Sequence, residues 1–225
     1  MANQKQTAAP ENIEVVNATE AFVDKYKKLI ITGVVAVFAC AALIIGWNAY
    51  SNSNNQKASE ALFPCENYFT EGNFEKALNG DGAQCVGFLK VAEDYGSTKA
   101  GNLAHLYAGI CLAQTDKFDD AAKQLEKFDT QDDDLISPAA IGLLGNVYVS
   151  LGQKDKAIET LKKAAKRADN PSLSPTFLVQ AGQLLEADGQ KEQALKLYQE
   201  VKNKYPTSMA VQTREIEAYI ERASN

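Results

Sequence analysis

Apolar and polar residues intermix along most of this chain, but from Leu29 to Tyr50 no charged residue interrupts an apolar run that opens directly behind Lys25, Lys27 and Lys28. As a helix rising about 1.5 Å per residue, Leu29 to Trp47 covers roughly 29 Å, close to the hydrocarbon thickness of a bilayer. A core helix of a soluble domain keeps a polar face, and this run has none. A cleaved secretion signal has a short leader and a small-residue cleavage site, whereas here 28 residues precede the run and NAYSNSNNQ closes it. The pattern therefore predicts a permanent transmembrane helix over 29–50, opened by Leu29, with Trp47 and Tyr50 as aromatic anchors at the far interface. Positive charge beside a span is retained on the cytoplasmic side, so Lys25, Lys27 and Lys28 predict a cytoplasmic N-terminus. Residues 1–18 read as a mobile cytoplasmic tail, 19–28 as a short juxtamembrane helix capped by Thr19, and 51–57 as a polar stem. Cys40, followed by more apolar residues, reads as a lipid-facing or packing residue rather than a lipidation site.

Beyond the stem the apolar positions take a helical period and repeat. In AIGLLGNVYVSLGQKDKAIETLKKA, residues 140–164, the spacing of Leu144, Gly145, Tyr148, Gly152, Ala157, Leu161 and Ala164 matches the tetratricopeptide pattern. Gly145 and Ala157 are small where two antiparallel helices approach, Tyr148 and Leu161 fill the space beside them, and Gly152 ends the first helix in a left-handed conformation. Ser137-Pro138 and Ser174-Pro175 read as N-caps followed by proline at the first helical position. Ala121, Ala157 and Ala194 recur at intervals of 36 and 37, each twelve residues after Gly109, Gly145 and Gly182. The predicted fold is all-α: one N-terminal transmembrane helix, then a tetratricopeptide α-solenoid over 58–225. Its parts are a degenerate unit over 58–80, an inserted helix over 86–96, units over 102–130, 138–169 and 175–206, and a capping helix over 208–223 that covers the last apolar face.

Charge narrows the function. Residues 1–50 balance, which leaves 19 of the 23 basic and 25 of the 29 acidic residues beyond, so the repeat domain carries the whole negative surplus. It offers no basic stripe for a phosphate backbone, and no nucleic-acid partner is expected. His105 is the single histidine, at a position that normally packs, and none of GxxxxGK[ST], GxSxG, HExxH or GxGxxG occurs. The run Asp132, Asp133, Asp134 lacks the glycine and glutamate of a calcium loop and reads as solvated. A non-catalytic binding module without cofactor or metal is expected. Cys65 and Cys85 are spaced to close a disulfide loop worth about 3 kcal/mol. The alternative, which the repeat positions favour, makes Cys65 and Cys111 compact apolar side chains, and an odd count beyond the span leaves one unpaired.

The combination of EAFVDKYKK, one span, an Asn/Ser/Gln-rich stem and an acidic repeat domain entered through YGSTKAGNLAHLYAG resembles the YfgM-like ancillary subunits of the SecYEG translocon. The resemblance covers residues 20–222. It implies a bacterial inner-membrane protein with a periplasmic domain, associated with translocon subunits and with a membrane-bound periplasmic chaperone of the peptidyl-prolyl isomerase type. The NGDG insertion and the extra cysteines depart from the expected pattern.

In tetratricopeptide arrays the first helices of the units line the binding surface. That frame selects Leu103, Leu106, Ile110 and Ala113, then Ala139, Gly142, Asn146 and Val149, then Thr176, Val179, Gln183 and Glu186. Leu106, Ile110 and Leu143 stand where carboxylate-gripping members carry Lys and Asn, so the expected occupant is a hydrophobic segment of a partner or of an unfolded exported chain. The alternative occupant is the chain's own C-terminal helix. At the level of function, the alternative to a translocon adaptor is an organiser of envelope complexes in division or outer-membrane assembly.

Overall fold

The computed structural model describes residues 11–225, with side chains from Lys25 onward except Ile30, and every regular element among the described residues is helical. The chain divides into Met1–Ser53 and Asn54–Asn225. The described part of the first unit belongs to α1 (Glu11–Thr70). Its apolar stretch is long enough to cross a membrane, and Leu29, Phe38, Leu43, Trp47 and Tyr50 are all exposed on it. Within the apolar stretch the Thr32 hydroxyl is satisfied locally, its Oγ1 donating to the Lys28 carbonyl at 2.8 Å. Lys25 Nζ lies 5.3 Å from the centre of the Tyr26 ring, and the Trp47 and Tyr50 rings are 6.4 Å apart.

The expected breaks within this region are absent. Residues 1–10 of the tail lie outside the described residues, and the chain is helical from Glu11, so Thr19 falls inside a helix rather than capping one. No Gly or Pro stands between Glu11 and Lys28 to stop it. The stem 51–57 is also helical, and Asn55 has a structural use: its Oδ1 accepts the Ala100 N–H at 2.9 Å.

In the second unit the end of α1 pairs with the repeats through α2 (Phe74–Asn79) and α3 (Phe88–Tyr95). Then come the pairs α4 (Lys99–Gln114) with α5 (Phe118–Lys127), α6 (Ile136–Ser150) with α7 (Lys154–Ala168), and α8 (Ser174–Ala187) with α9 (Lys191–Lys204). From α3 to α9 helices consecutive in sequence pack on one another, as expected of a solenoid. One turn geometry closes the first helix of each unit. Gly72, Asp116, Gly152 and Gly189 all have positive φ, and the residue after each donates its N–H to the carbonyl five positions back: Asn73 to Tyr68, Lys117 to Leu112, Gln153 to Tyr148 and Gln190 to Leu185. This is the 6→1 bond of a Schellman turn, present even in the degenerate unit.

The small residues sit where the helices touch. A Cβ at Gly145 would lie 2.8 Å from Leu161 Cγ, and one at Gly109 2.6 Å from Leu125 Cγ. At Gly182 it would overlap the Tyr198 ring. Two apolar clusters result. One runs from Leu62 to Ala157, including Phe88, Leu106 and Cys111; the other runs from Ile141 to Ala223, including Leu161, Tyr198 and Ile216.

Three expectations are corrected here. Ser137 and Ser174 do not cap their helices. Asp133 Oδ1 already accepts the Leu135 and Ser137 N–H groups, and Asn170 Oδ1 those of Ser172 and Leu173. The serine hydroxyls are instead buried and tie each helix start to the chain before it: Ser137 Oγ accepts from the Gln131 N–H, and Ser174 Oγ donates to the Ala165 carbonyl. The cap is two helices, α10 (Met209–Gln212) and α11 (Glu215–Ser224), parted by Arg214 in a left-handed conformation at φ 62°. Finally, Cys65 and Cys85 are joined in a disulfide with Cα atoms 4.9 Å apart, although the repeat positions favour packing residues. The 80–87 loop folds back on α1 and brings them together: Asp81 accepts the Tyr68 hydroxyl at 3.0 Å, and the Gly87 N–H reaches Cys65 Sγ. Cys111 stays free and buried.

Candidate protein-binding cleft

Thr176, Val179 and Gln183 lie three and four residues apart on α8 and so share one face. Pro175 at the start of α8 supplies a fixed φ and needs no partner for its nitrogen. Opposite this face the left-handed Arg214 turns the chain between α10 and α11, which brings Met209 and Tyr219 across from α8. The walls are linked: Gln183 Nε2 donates to the Tyr219 hydroxyl at 3.2 Å, and that hydroxyl donates to Glu215 Oε1 at 2.7 Å. Tyr219 also stacks on buried Tyr198, ring centres 5.3 Å apart. Between the walls lies a cleft of about 620 Å³, in the usual size range of ligand sites. The C-terminal segment is thus one wall of a cleft that remains open.

The other residues selected by the repeat frame fall elsewhere. Leu106 is only 8% exposed and belongs to the first core cluster, with Leu103, Ile110 and Ala113 half-buried against it. Gly142 is covered by the Phe177 ring of the next unit. Asn146 and Val149 are exposed on α6. Glu186 is engaged by Arg222. Of the selected residues, Thr176, Val179 and Gln183 line the cleft.

A model of the tetratricopeptide repeat-like domain matches residues 20–218. The chain belongs to that family. A relative described as an ancillary SecYEG translocon subunit, from Aggregatibacter actinomycetemcomitans, is 29% identical over 178 residues, which are 79% of this chain and 81% of the relative. Among solved structures, the fold is similar to that of MamA, with TM-score 0.52 and 18% identity over 71% of this chain and 92% of that one. It is also similar to nearly identical tetratricopeptide-like repeats of a Podosopora anserina putative kinesin light chain, with TM-score 0.55 and 13% identity over 75% and 86% of the two chains.

The electrostatics of the cleft in this tetratricopeptide repeat-like domain disfavour an anionic ligand. The cleft lining holds one carboxylate, Glu215, and no Lys, Arg or His. Behind it, the Arg222 guanidinium holds the Glu186 carboxyl below the usual carboxylate range, against the opposing pull of burial and with help from the Tyr198 hydroxyl. Burial, then the bond to Glu186, pushes Tyr198 well above the ordinary phenol range. Among the described residues no group of His, Cys, Asp and Glu is arranged to hold a metal ion. His105 is buried and bonded through Nδ1 to Gln124 Oε1 at 2.7 Å. Among the lining residues that sequence reasoning missed are Gln180, Ser208, Met209 and Tyr219. Alignment of the units marks the first, since Gln180 stands where the earlier units carry Tyr107 and Leu143.

Proposed function

We propose that the chain is a non-catalytic adaptor, anchored by residues 29–50 in a bacterial inner membrane and working beside the SecYEG translocon. The observation that carries this reading is the likeness, over 79% of the chain, to an ancillary translocon subunit. The exposed apolar stretch of α1 supports the anchor. Lys25, Lys27 and Lys28 support an orientation in which the repeat domain faces the periplasm, since basic residues are retained on the cytoplasmic side. The domain's partners there are translocon subunits, a membrane-bound chaperone of the peptidyl-prolyl isomerase type, and unfolded segments of exported chains. Anchoring confines all of them near one surface, so weak contacts suffice for capture.

Crosslinking in intact cells, followed by detergent solubilisation and purification of the full chain, should recover translocon subunits. Recovery of division or outer-membrane assembly components alone would replace the adaptor with an envelope organiser. Protease added to spheroplasts should degrade residues 54–225, and full protection of that domain would reverse the orientation. To test capture, Val179→Glu is the better variant than Leu106→Glu, because a charge at buried Leu106 perturbs folding.

A further inference from the structure

The array has a recurrent device at the start of its helices, and its last copy differs. Thr98, Ser137, Ser174 and Ser208 are the four buried serine and threonine residues of the chain's second unit. Three of them are fully used. Thr98 Oγ1 donates to the Tyr95 carbonyl and accepts the Gly101 N–H. Ser137 Oγ binds Gln131 and Asp133, and Ser174 Oγ binds Ala165 and Asn170. Ser208, 2% exposed, has no hydrogen-bond partner for its hydroxyl and leaves α10 without a side-chain cap.

A second orphan lies in the same place. Gln180 Oε1 is buried with no donor, at a repeat position filled in the earlier units by Tyr107 and Leu143, both packed against the first apolar cluster. Among the described residues these are the two buried side-chain polar atoms without a partner, and both residues line the cleft between α8 and α10–α11. Buried polar groups are nearly always bonded, because leaving one unmet costs the solvation it has lost. Two exceptions in one cleft, one of them replacing an apolar repeat residue, mark groups kept for a partner that arrives from outside.

We infer that this cleft binds an extended, uncharged main-chain segment, about three residues long, through Gln180 and Ser208. The inference rests on the adaptor reading and specifies what its cleft recognises. A peptide supplies the N–H that Gln180 Oε1 lacks and a carbonyl for the Ser208 hydroxyl, with small rotations of the two side chains. The length follows from Thr176 to Gln183, seven residues or about 10 Å of helix, which an extended strand at about 3.3 Å per residue crosses in three. Val179 and Met209, the latter 73% exposed, provide apolar contact for its side chains. With Glu215 present and no cation in the lining, a terminal carboxylate is disfavoured, so the ligand is an internal segment.

The test uses the full chain in detergent and a fluorescein-labelled eight-residue peptide of Ala, Val and Asn, compared by fluorescence polarisation as the C-terminal amide and as the free carboxylate. The amide should bind at least as tightly as the carboxylate, and Gln180→Leu and Ser208→Ala should each weaken it tenfold or more. Both variants should keep or raise Tm, since each removes an unmet buried polar group. A fall in Tm of several degrees would make these residues structural and overturn the site. So would absent peptide binding, binding unchanged in both variants, or preference for the carboxylate. Self-association by sedimentation velocity that Gln180→Leu abolishes would make a second copy the occupant and equally overturn it. Recovery of translocon subunits by both variants at wild-type levels, with peptide binding unaltered, would sink the cleft assignment and leave the adaptor. Peptide binding as expected without translocon recovery would do the reverse.

Discussion

Arg222 in α11 grips Glu186 in α8 with two parallel bonds, Nε to Oε1 at 2.9 Å and Nη2 to Oε2 at 2.5 Å, while the Tyr198 hydroxyl adds a third at 2.6 Å. The two residues are 36 positions apart, the spacing that also separates Gln183 from Tyr219 and Asp169 from Tyr205, which are bonded too. The cap therefore stands toward α8 as one repeat's first helix stands toward the next. Glu186, whose side chain is 11% exposed, depends on this clasp, whereas Arg222 is half in water and its share is screened. Arg222→Ala should cost about 1 kcal/mol, seen in thermal unfolding, and should speed amide exchange along α11. Unchanged exchange there would show that apolar contacts of Ile216 and Ala223 alone hold the cap.

The same clasp sets an acid sensitivity. Because the folded Glu186 carboxyl titrates below its ordinary range, its contribution is complete above about pH 5 and fades as pH falls through the depressed folded value. Asp133 behaves alike: burial opposes its charge, but the Ser137 hydroxyl and backbone N–H groups around it outweigh burial and lower its value. Tm should be flat from pH 7 to 5 and fall below pH 4. Glu186→Gln should lower Tm at pH 7 and flatten the acid limb.

Two glycines of the α6–α7 unit should respond differently. At Gly145 an added methyl meets Leu161, and Gly145→Ala should cost about 1–3 kcal/mol through forced repacking. At Gly152 nothing lies within 4 Å of an added Cβ, and the strain comes from a φ of +71° alone. Gly152→Ala should cost about 1 kcal/mol and Gly152→Asn less, because Asn tolerates the left-handed region. Chemical denaturation of the three variants would rank them.

The Cys65–Cys85 link joins α1 to the loop ahead of α3. Reduction or Cys85→Ser should lower stability by about 2–4 kcal/mol, read as a drop in Tm and a mobility shift on nonreducing gels. Cys111 should resist alkylation in the folded protein, since burial pushes its thiol up to about 12. Rapid labelling of Cys111 at pH 8 would indicate local opening of α4.

Much of the fold was legible because its determinants are short-range. Glycine at 109, 145 and 182, a small residue twelve later and a left-handed turn between them dictate how two neighbouring helices meet, and each unit settles this within some thirty residues. The apolar stretch before them was equally plain, since no folding partner is needed to explain 22 uncharged residues in a row. Where the chain lacked punctuation the reading faltered: without Gly or Pro around Thr19 or the stem, α1 ran on through both.

By itself, then, the sequence determined an apolar helix, the helical pairs and their order, because propensity, turn residues and periodic apolar faces act between near neighbours. Tertiary structure decided that Leu106 belongs to the core, that Cys65 meets Cys85, that Arg214 breaks the cap, and that Gln180 and Ser208 share a cleft with no partner for either. Each of these depends on which side chains from distant segments arrive at one place, and spacing along a chain carries no record of that until the helices have stacked.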